Sequence, residues 1–90
     1  MTTVRIPAQL RTLTAGAGEL SIDGSTVGEV LVALDGAHAG FAERLFDESG
    51  GLRRFVNVFV DEEDVRFLDG LATPLTTGQT ISIVPAVAGG

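Results

Sequence analysis

The chain has 90 residues, of which 44% are hydrophobic, and its formal net charge is −6. A chain of this length forms one small domain, and its hydrophobic fraction excludes an intrinsically disordered chain. The acidic balance disfavours nucleic-acid binding, which needs clustered Lys and Arg, and no apolar run approaches the ~20 residues of a membrane span. No secretory signal opens the chain. We therefore expect a cytoplasmic protein that binds neither nucleic acid nor membrane.

Cysteine and lysine are both absent from the chain. It contains no cysteine, and all six of its cationic side chains are arginines. A disulfide, a thiolate nucleophile and a thiol-based metal site are thereby excluded. The chain also lacks a lysine amine that could attack an activated acyl group. A genome that favours Arg over Lys explains the same composition, so both explanations stay open.

The first half of the chain predicts two strands. "TTVRI" alternates, with Val4 and Ile6 on one face, and Pro7 ends the strand. After a glycine-containing loop, "ELSI" alternates again through Leu20 and Ile22. Both segments have the pattern of half-buried strands.

A helix follows. Thr26–Glu29 has the capping-box pattern, with a hydroxyl at the cap and a carboxylate three residues later. One helix face then carries apolar residues at helical spacing, namely Val27, Val30, Leu31 and Leu34. Gly36 is the predicted stop.

The second half predicts a short helical turn and three strands. The turn buries Phe41, Leu45 and Phe46 and ends before Gly50. "RFVNVFV" is a strong strand with its valines on one face; the acidic turn "DEED" then leads to a short strand "VRF", and "TISIV" is the last strand.

The resulting order is β-β-α-turn-β-β-β. It predicts an α+β fold of the β-grasp (ubiquitin-like) kind: a mixed sheet of about five strands with one main helix and a short helical turn. We expect the first and last strands to be neighbours at its centre. Residues 1–84 would form this domain, and residues 85–90 a flexible C-terminal tail.

The end of the chain carries a family resemblance. The stretches "RFVNVFVDEEDVRFLDGLATPL" and "VPAVAGG" resemble the ThiS/MoaD family of ubiquitin-like sulfur-carrier proteins. Within that family they are most similar to the carriers of cysteine biosynthesis. The resemblance covers nearly the whole chain and is strongest over residues 54–90. Thr77-Gly78 stands where the family usually has Asp-Gly before the last strand.

The resemblance implies a protein co-substrate rather than an enzyme. A partner of the MoeB/ThiF adenylyltransferase type would use ATP to adenylate the C-terminal carboxylate of Gly90, and sulfur would then displace AMP to leave a thiocarboxylate. In cysteine biosynthesis, the further partners would be a pyridoxal-phosphate cysteine synthase and a JAMM-type metalloprotease. Pyridoxal phosphate and zinc would belong to those partners, and this chain would bind no cofactor.

The composition of the tail suits insertion into a partner's active site. Six extended residues span about 20 Å at most, and Pro85 is predicted to end the last strand. Glycines without a Cβ atom can thread a narrow channel, and small apolar residues enter it without a desolvation cost. We therefore predict partner contacts for Pro85, Ala86, Val87, Ala88 and Gly89, with Gly90 as the reactive residue.

A second predicted partner surface lies on the strand "RFVNVFV". If its valines face the core, Phe55 and Phe59 face outward on either side of Asn57. Arg54, with Arg53, would rim this face. In the alternative interpretation, the segment Phe41–Phe46 covers the face or the strand has the opposite register.

Other motifs do not indicate chemistry. Asp61–Asp64 lacks the alternating ligands and the glycine of a calcium loop and is predicted to be a solvated turn. His38 is the only histidine and is predicted to be a loop residue. The glycines of "AGAGEL" lack the Gly-Lys-Ser/Thr of a phosphate-binding loop.

Three classes of function stay open. The first is a sulfur carrier, either for cysteine biosynthesis or, alternatively, as the small subunit of molybdopterin synthase or the thiamine sulfur carrier. The second is a ubiquitin-like protein modifier, conjugated through Gly90 to lysines of its targets. The third is a plain interaction module in which the Gly-Gly end has no role.

Overall fold

The computed structural model describes residues 2–85, so the tail residues from Ala86 to Gly90 lie outside the described part. The strands and α-helices are β1 (Thr2–Arg5), β2 (Glu19–Ile22), α1 (Val27–Ala37), α2 (Phe41–Leu45), β3 (Val56–Val60), β4 (Glu63–Asp64) and β5 (Thr80–Pro85). Short 3₁₀ helices span Ala8–Thr14, Val65–Phe67 and Gly70–Ala72. No helix within this range is long and apolar enough to cross a membrane.

The five strands form one mixed sheet in the order β2-β1-β5-β3-β4. The first and last strands run parallel at its centre, with Val4 opposite Ile81. The other pairs are antiparallel, and in one of them Val58 of β3 lies opposite Ile83 of β5. The prediction of a β-grasp fold with these central neighbours is confirmed.

The core lies between one face of the sheet and the two α-helices. Alternate strand residues point into it, as the sequence predicted. Helix α1 contributes its apolar stripe, and α2 contributes Phe41 and Leu45, both fully buried. The buried apolar strand residues are Val4, Ile22, Val56, Val58, Val60, Ile81 and Ile83.

The N-terminus of α1 shows the predicted cap with one shift. The Thr26 hydroxyl accepts a hydrogen bond from the Glu29 amide at 3.2 Å, as a capping box requires. The Glu29 carboxylate accepts from the amide of Ser25, one residue before the cap, also at 3.2 Å. At the other end the helix passes through Gly36 to Ala37, so the predicted stop at Gly36 is wrong by one residue.

Three strand predictions in the second half need correction. Strand β3 begins at Val56, so Arg54 and Phe55 of the predicted strand "RFVNVFV" precede it. The strand that pairs with the end of β3 is Glu63–Asp64, the second half of the predicted acidic turn, and the predicted strand "VRF" is a 3₁₀ helix. A local hydrogen bond favours the 3₁₀ helix over a strand, because the Asp64 carboxylate accepts from the Arg66 amide at 2.8 Å and caps the turn. Strand β5 continues through Pro85, opposite Val56, beyond the predicted boundary. A proline at the last residue of a strand removes only one donor from the ladder.

The 3₁₀ helix Ala8–Thr14 has no counterpart in the sequence prediction. It follows Pro7, two residues after β1 ends at Arg5 and so slightly later than the predicted strand end, and it buries Leu10 against the core. The buried hydroxyl of Thr14 donates one hydrogen bond, within reach of two backbone acceptors, the carbonyls of Ala17 at 2.7 Å and Arg11 at 3.1 Å. Two leucines three residues apart in a short polar segment fit a 3₁₀ helix and a loop equally well. The sequence therefore does not predict this helix.

Candidate functional site

The base of the tail lies at the end of the central strand. Pro85, the last described residue, is half-buried and pairs with Val56 at the beginning of β3. A shallow groove of about 290 Å³ runs beside it, lined by residues of β5 and of the segment that follows β1, among them Val84, Pro7 and Gln9. The predicted tail contacts at Ala86, Val87, Ala88 and Gly89, and the reactive residue Gly90, lie outside the described residues.

Of the two aromatic residues predicted on the outer face of the sheet, Phe59 lies on β3, whereas Phe55 lies just before the strand begins at Val56. Phe55 is 57% exposed, Phe59 is half-buried, and Val84 on the neighbouring strand is 46% exposed. The alternative interpretation of this face is wrong, because the valines of β3 and the side chain of Phe41 are buried together in the core on the other side. An exposed apolar patch of this kind is typical of an interaction surface.

Phe55 and Arg54 are the central residues of a tight turn that leads into β3. The amide of Val56 donates to the carbonyl of Arg53 at 3.0 Å and closes the turn. Arg53 ties one end of it to α2, because its amide donates to the Leu45 carbonyl at 2.9 Å. Since Val56 pairs with Pro85, this turn presents Arg54 and Phe55 directly beside the base of the tail.

The guanidinium of Arg66 contacts the same turn, a contact that the sequence analysis did not predict. Its Nη1 donates to Asn57 Oδ1 at 2.7 Å. Its Nη2 donates to the carbonyls of Arg53 at 3.0 Å and Val56 at 2.8 Å. A polar residue, Asn57, on the outer face of β3 indicated in the sequence that this face has a role other than core packing. Only the structure shows that its partner is Arg66.

Side chains of the acidic run Asp61–Asp64 stabilise the chain segments next to them through hydrogen bonds. Asp61 has a positive φ of 57°, and its carboxylate accepts from the Thr80 amide at 3.1 Å, which ties the turn to β5. Asp64 caps the following 3₁₀ helix. Within residues 2–85 no group of three or more His, Cys, Asp and Glu side chains could hold a metal ion. His38 follows α1 as its C-terminal cap, in agreement with the predicted loop position.

One carboxylate of the described chain has a shifted pKa. Asp47, in the loop after α2, has a pKa below its ordinary value, mainly because the Ser49 hydroxyl donates to its Oδ1 at 2.6 Å. The amides of Ser49 and Gly51 donate to the same oxygen at 2.9 and 3.2 Å. These bonds favour the ionised carboxylate and fix the loop that leads toward the turn at Arg54 and Phe55.

Comparison with known proteins identifies the family. Residues 4–90 match the ThiS family, so the chain belongs to that family. It is 49% identical over 90 residues to the sulfur carrier protein CysO of Mycobacterium tuberculosis (strain H37Rv), covering 98% of this chain and 97% of the relative. It is 44% identical over 68 residues to small archaeal modifier protein 3 of Haloferax volcanii, covering 76% of this chain and 73% of that protein.

A solved structure supports the same assignment. The chain superposes on one from the crystal structure of the Amycolatopsis orientalis BexX/CysO complex with a TM-score of 0.93. The two sequences are 46% identical, and the match covers 100% of both chains. The predicted resemblance to this family and the predicted fold are therefore both confirmed.

Proposed function

We propose that this protein is a sulfur carrier of cysteine biosynthesis, with the C-terminal carboxylate of Gly90 as the atom group that receives sulfur. The observation that carries the proposal is the ThiS family match, which extends over residues 4–90 and includes Gly89 and Gly90. The 49% identity to a protein named as a sulfur carrier supports it further.

The chemistry needs an activated acyl group, because an ionised carboxylate is a poor electrophile. An oxygen of the Gly90 carboxylate attacks the α-phosphorus of ATP, pyrophosphate leaves, and an acyl-adenylate forms. Sulfide then attacks the acyl carbon and expels AMP, so that one oxygen of the carboxylate is replaced by sulfur. The thiocarboxylate is the product that a second enzyme consumes as its sulfur donor.

The described surface supports docking of the activating enzyme beside the tail. Phe55, Phe59 and Arg54 are proposed to contact a partner of the MoeB/ThiF type, together with Pro85 at the base of the tail. The exposed aromatic ring supplies buried apolar area, and the small residues of the tail enter the active site. Because β5 is held by strands on both sides, the domain presents the tail from a fixed base.

The proposed acceptor is a pyridoxal-phosphate cysteine synthase. The thiocarboxylate sulfur would form the new carbon–sulfur bond of cysteine, and an acyl shift would leave cysteine amide-linked to Gly90. A JAMM-type metalloprotease would hydrolyse that bond and regenerate the carrier. The chain itself acts as a co-substrate throughout.

The test is intact-protein mass spectrometry after incubation with a MoeB/ThiF-type adenylyltransferase, ATP and sodium sulfide. We expect a mass gain equal to the exchange of one oxygen for one sulfur, localised to Gly90. Deletion of Gly90 should abolish the gain, whereas Gly36→Ala, a change on the exposed side of α1, should leave it intact. An unchanged mass of the wild-type chain with an enzyme that is active on another carrier would refute the proposal.

A second candidate function is that of a protein modifier, favoured by the 44% identity to small archaeal modifier protein 3. In that case the activated Gly90 would be attacked by a lysine amine of a target rather than by sulfide. The two functions differ in their products. Incubation with the adenylyltransferase and a cell extract would give lysine-linked conjugates, detected by immunoblot, only for a modifier.

A further inference from the structure

Arg66 occupies an unusual position for an exposed arginine, because its guanidinium is hydrogen-bonded within the chain rather than only to solvent. It makes three contacts of 2.7–3.0 Å, and all three acceptors belong to the turn Arg53–Val56 and the residue after it. One nitrogen, Nη2, joins the carbonyls at both ends of the turn. The planar guanidinium serves this bridge with one nitrogen and Asn57 with the other at the same time, a fixed geometry that the single nitrogen of a lysine does not match.

The turn has few other interactions that could fix its central residues. Phe55 is more than half exposed, and Arg54 is exposed. The bonds from Arg53 to α2 hold the first end of the turn, and the pairing of Val56 with Pro85 holds the last. Besides the Val56 amide, which closes the turn, the guanidinium of Arg66 links these two ends from outside the turn.

We propose that Arg66 is a positioning residue for the activating enzyme, acting through the turn that presents Arg54 and Phe55 at the base of the tail. This inference rests on the proposed function and adds to it a residue that does not itself need to touch the partner. A turn that is ordered before binding avoids the entropy cost of ordering it on the partner. Asn57 contributes by holding Nη1 over the outer face of β3.

The first measurement uses the carrier alone. Val56 N–H closes the turn, so its amide hydrogen exchange reports the opening of the turn. We expect Arg66→Gln to accelerate exchange at Val56 about tenfold while the amides of the central strands keep their protection. Unchanged exchange at Val56 would overturn the proposal, whatever the enzyme does.

The second measurement uses steady-state kinetics of pyrophosphate release with the MoeB/ThiF-type enzyme and ATP. Arg66→Gln and Arg66→Lys should each raise KM for the carrier about tenfold and change kcat by less than about twofold, because only docking is weakened. Arg44→Gln is the matched control, since it removes the same charge from an exposed position on α2. Thermal unfolding verifies that each variant is folded at the assay temperature. If Arg66→Gln is unfolded at that temperature, Arg66→Lys is measured in its place.

A double-mutant cycle separates this role from a direct contact. If Arg66 acts through the turn, Phe55→Ala should cost much less in the Arg66→Gln background than in the wild type. Additive effects, an unchanged KM, or a fall in kcat alone would each overturn the proposal. If the enzyme and ATP release no pyrophosphate in the presence of the wild-type carrier, the proposed sulfur-carrier function is wrong. The docking role of Arg66 is then wrong as well.

Discussion

Asp47 shows how a single side chain organises a loop of this fold. One of its carboxylate oxygens accepts hydrogen bonds from the Ser49 hydroxyl and from the amides of Ser49 and Gly51. Three donors directed at one oxygen stabilise the charged form of the group. The loop therefore depends on the ionisation of Asp47, although the residue is exposed to solvent.

This dependence predicts a pH effect confined to acid. The pKa of Asp47 is lowered from its ordinary value of 3.8, so its contribution to stability is complete above that pH and is lost as the pH falls through the lower pKa of the folded state. The carboxyl carbon shift of Asp47, followed by NMR against pH, should have its midpoint below 3.8. Ser49→Ala should move the midpoint upward, and a midpoint at or above the ordinary value in the wild type would contradict the prediction.

Asn57 illustrates the limit of sequence reasoning at the scale of one residue. Alternation along β3 predicted correctly that it faces outward between two aromatic residues. Its partner Arg66 is nine residues away along the chain and lies in a 3₁₀ helix beyond a tight turn. No periodicity connects the two positions, because the path between them is irregular.

At the scale of the element, α1 contains two glycines with different surroundings. A Cβ atom built on Gly36 meets nothing within 4 Å, so this position is open. On Gly28 the same atom would lie 3.1 Å from the Leu71 carbonyl oxygen and 3.3 Å from Leu71 Cβ. Gly28 therefore allows the 3₁₀ helix Gly70–Ala72 to pack closely against α1.

The two glycines form a matched pair of substitutions. Gly36→Ala should raise the free energy of unfolding by about 0.5–1 kcal/mol, because alanine has the higher helix propensity. Gly28→Ala gains the same propensity but forces Leu71 away, and we expect a net loss of about 1 kcal/mol. Urea denaturation of both variants measures the difference. Equal stabilisation by the two changes would show that Leu71 moves without cost.

The sequence predicted those elements whose hydrophobic periodicity is strong. The strands with buried valines and isoleucines and the helix after Thr26 have patterns that only one structure satisfies. "VRF" is too short for such a test, since one buried residue, Val65, suits a strand and a 3₁₀ helix equally well. There the Asp64 side chain decided the outcome through a local hydrogen bond.

At the scale of the whole molecule, β5 is the central strand of the sheet. It pairs with β1 on one side and β3 on the other, and Ile81 lies opposite both Val4 and Val60. Ile81 is 0% exposed, whereas Val84 on the outer face of the same strand is 46% exposed. The inward face of this strand therefore contributes to stability, whereas its outer face is exposed on the side proposed to dock the activating enzyme.

Alanine substitutions should separate these two roles. Ile81→Ala should lower the free energy of unfolding by about 2–5 kcal/mol, because it leaves a cavity at the centre of the core. Val84→Ala should change it by less than about 1 kcal/mol, since its side chain already contacts water. Chemical denaturation measures both values. Similar losses would mean that the outer face is covered in the folded chain.

The central place of β5 also bears on when the carrier becomes competent during its synthesis. Strand β5 is synthesised after the other four strands, and the parallel pair with β1 cannot form before β5 has left the ribosome. A chain interrupted before Thr80 lacks the middle of its sheet and cannot hold the turn beside Pro85 in place. Under the proposed function, nascent and truncated chains would therefore not compete with finished carriers for the activating enzyme.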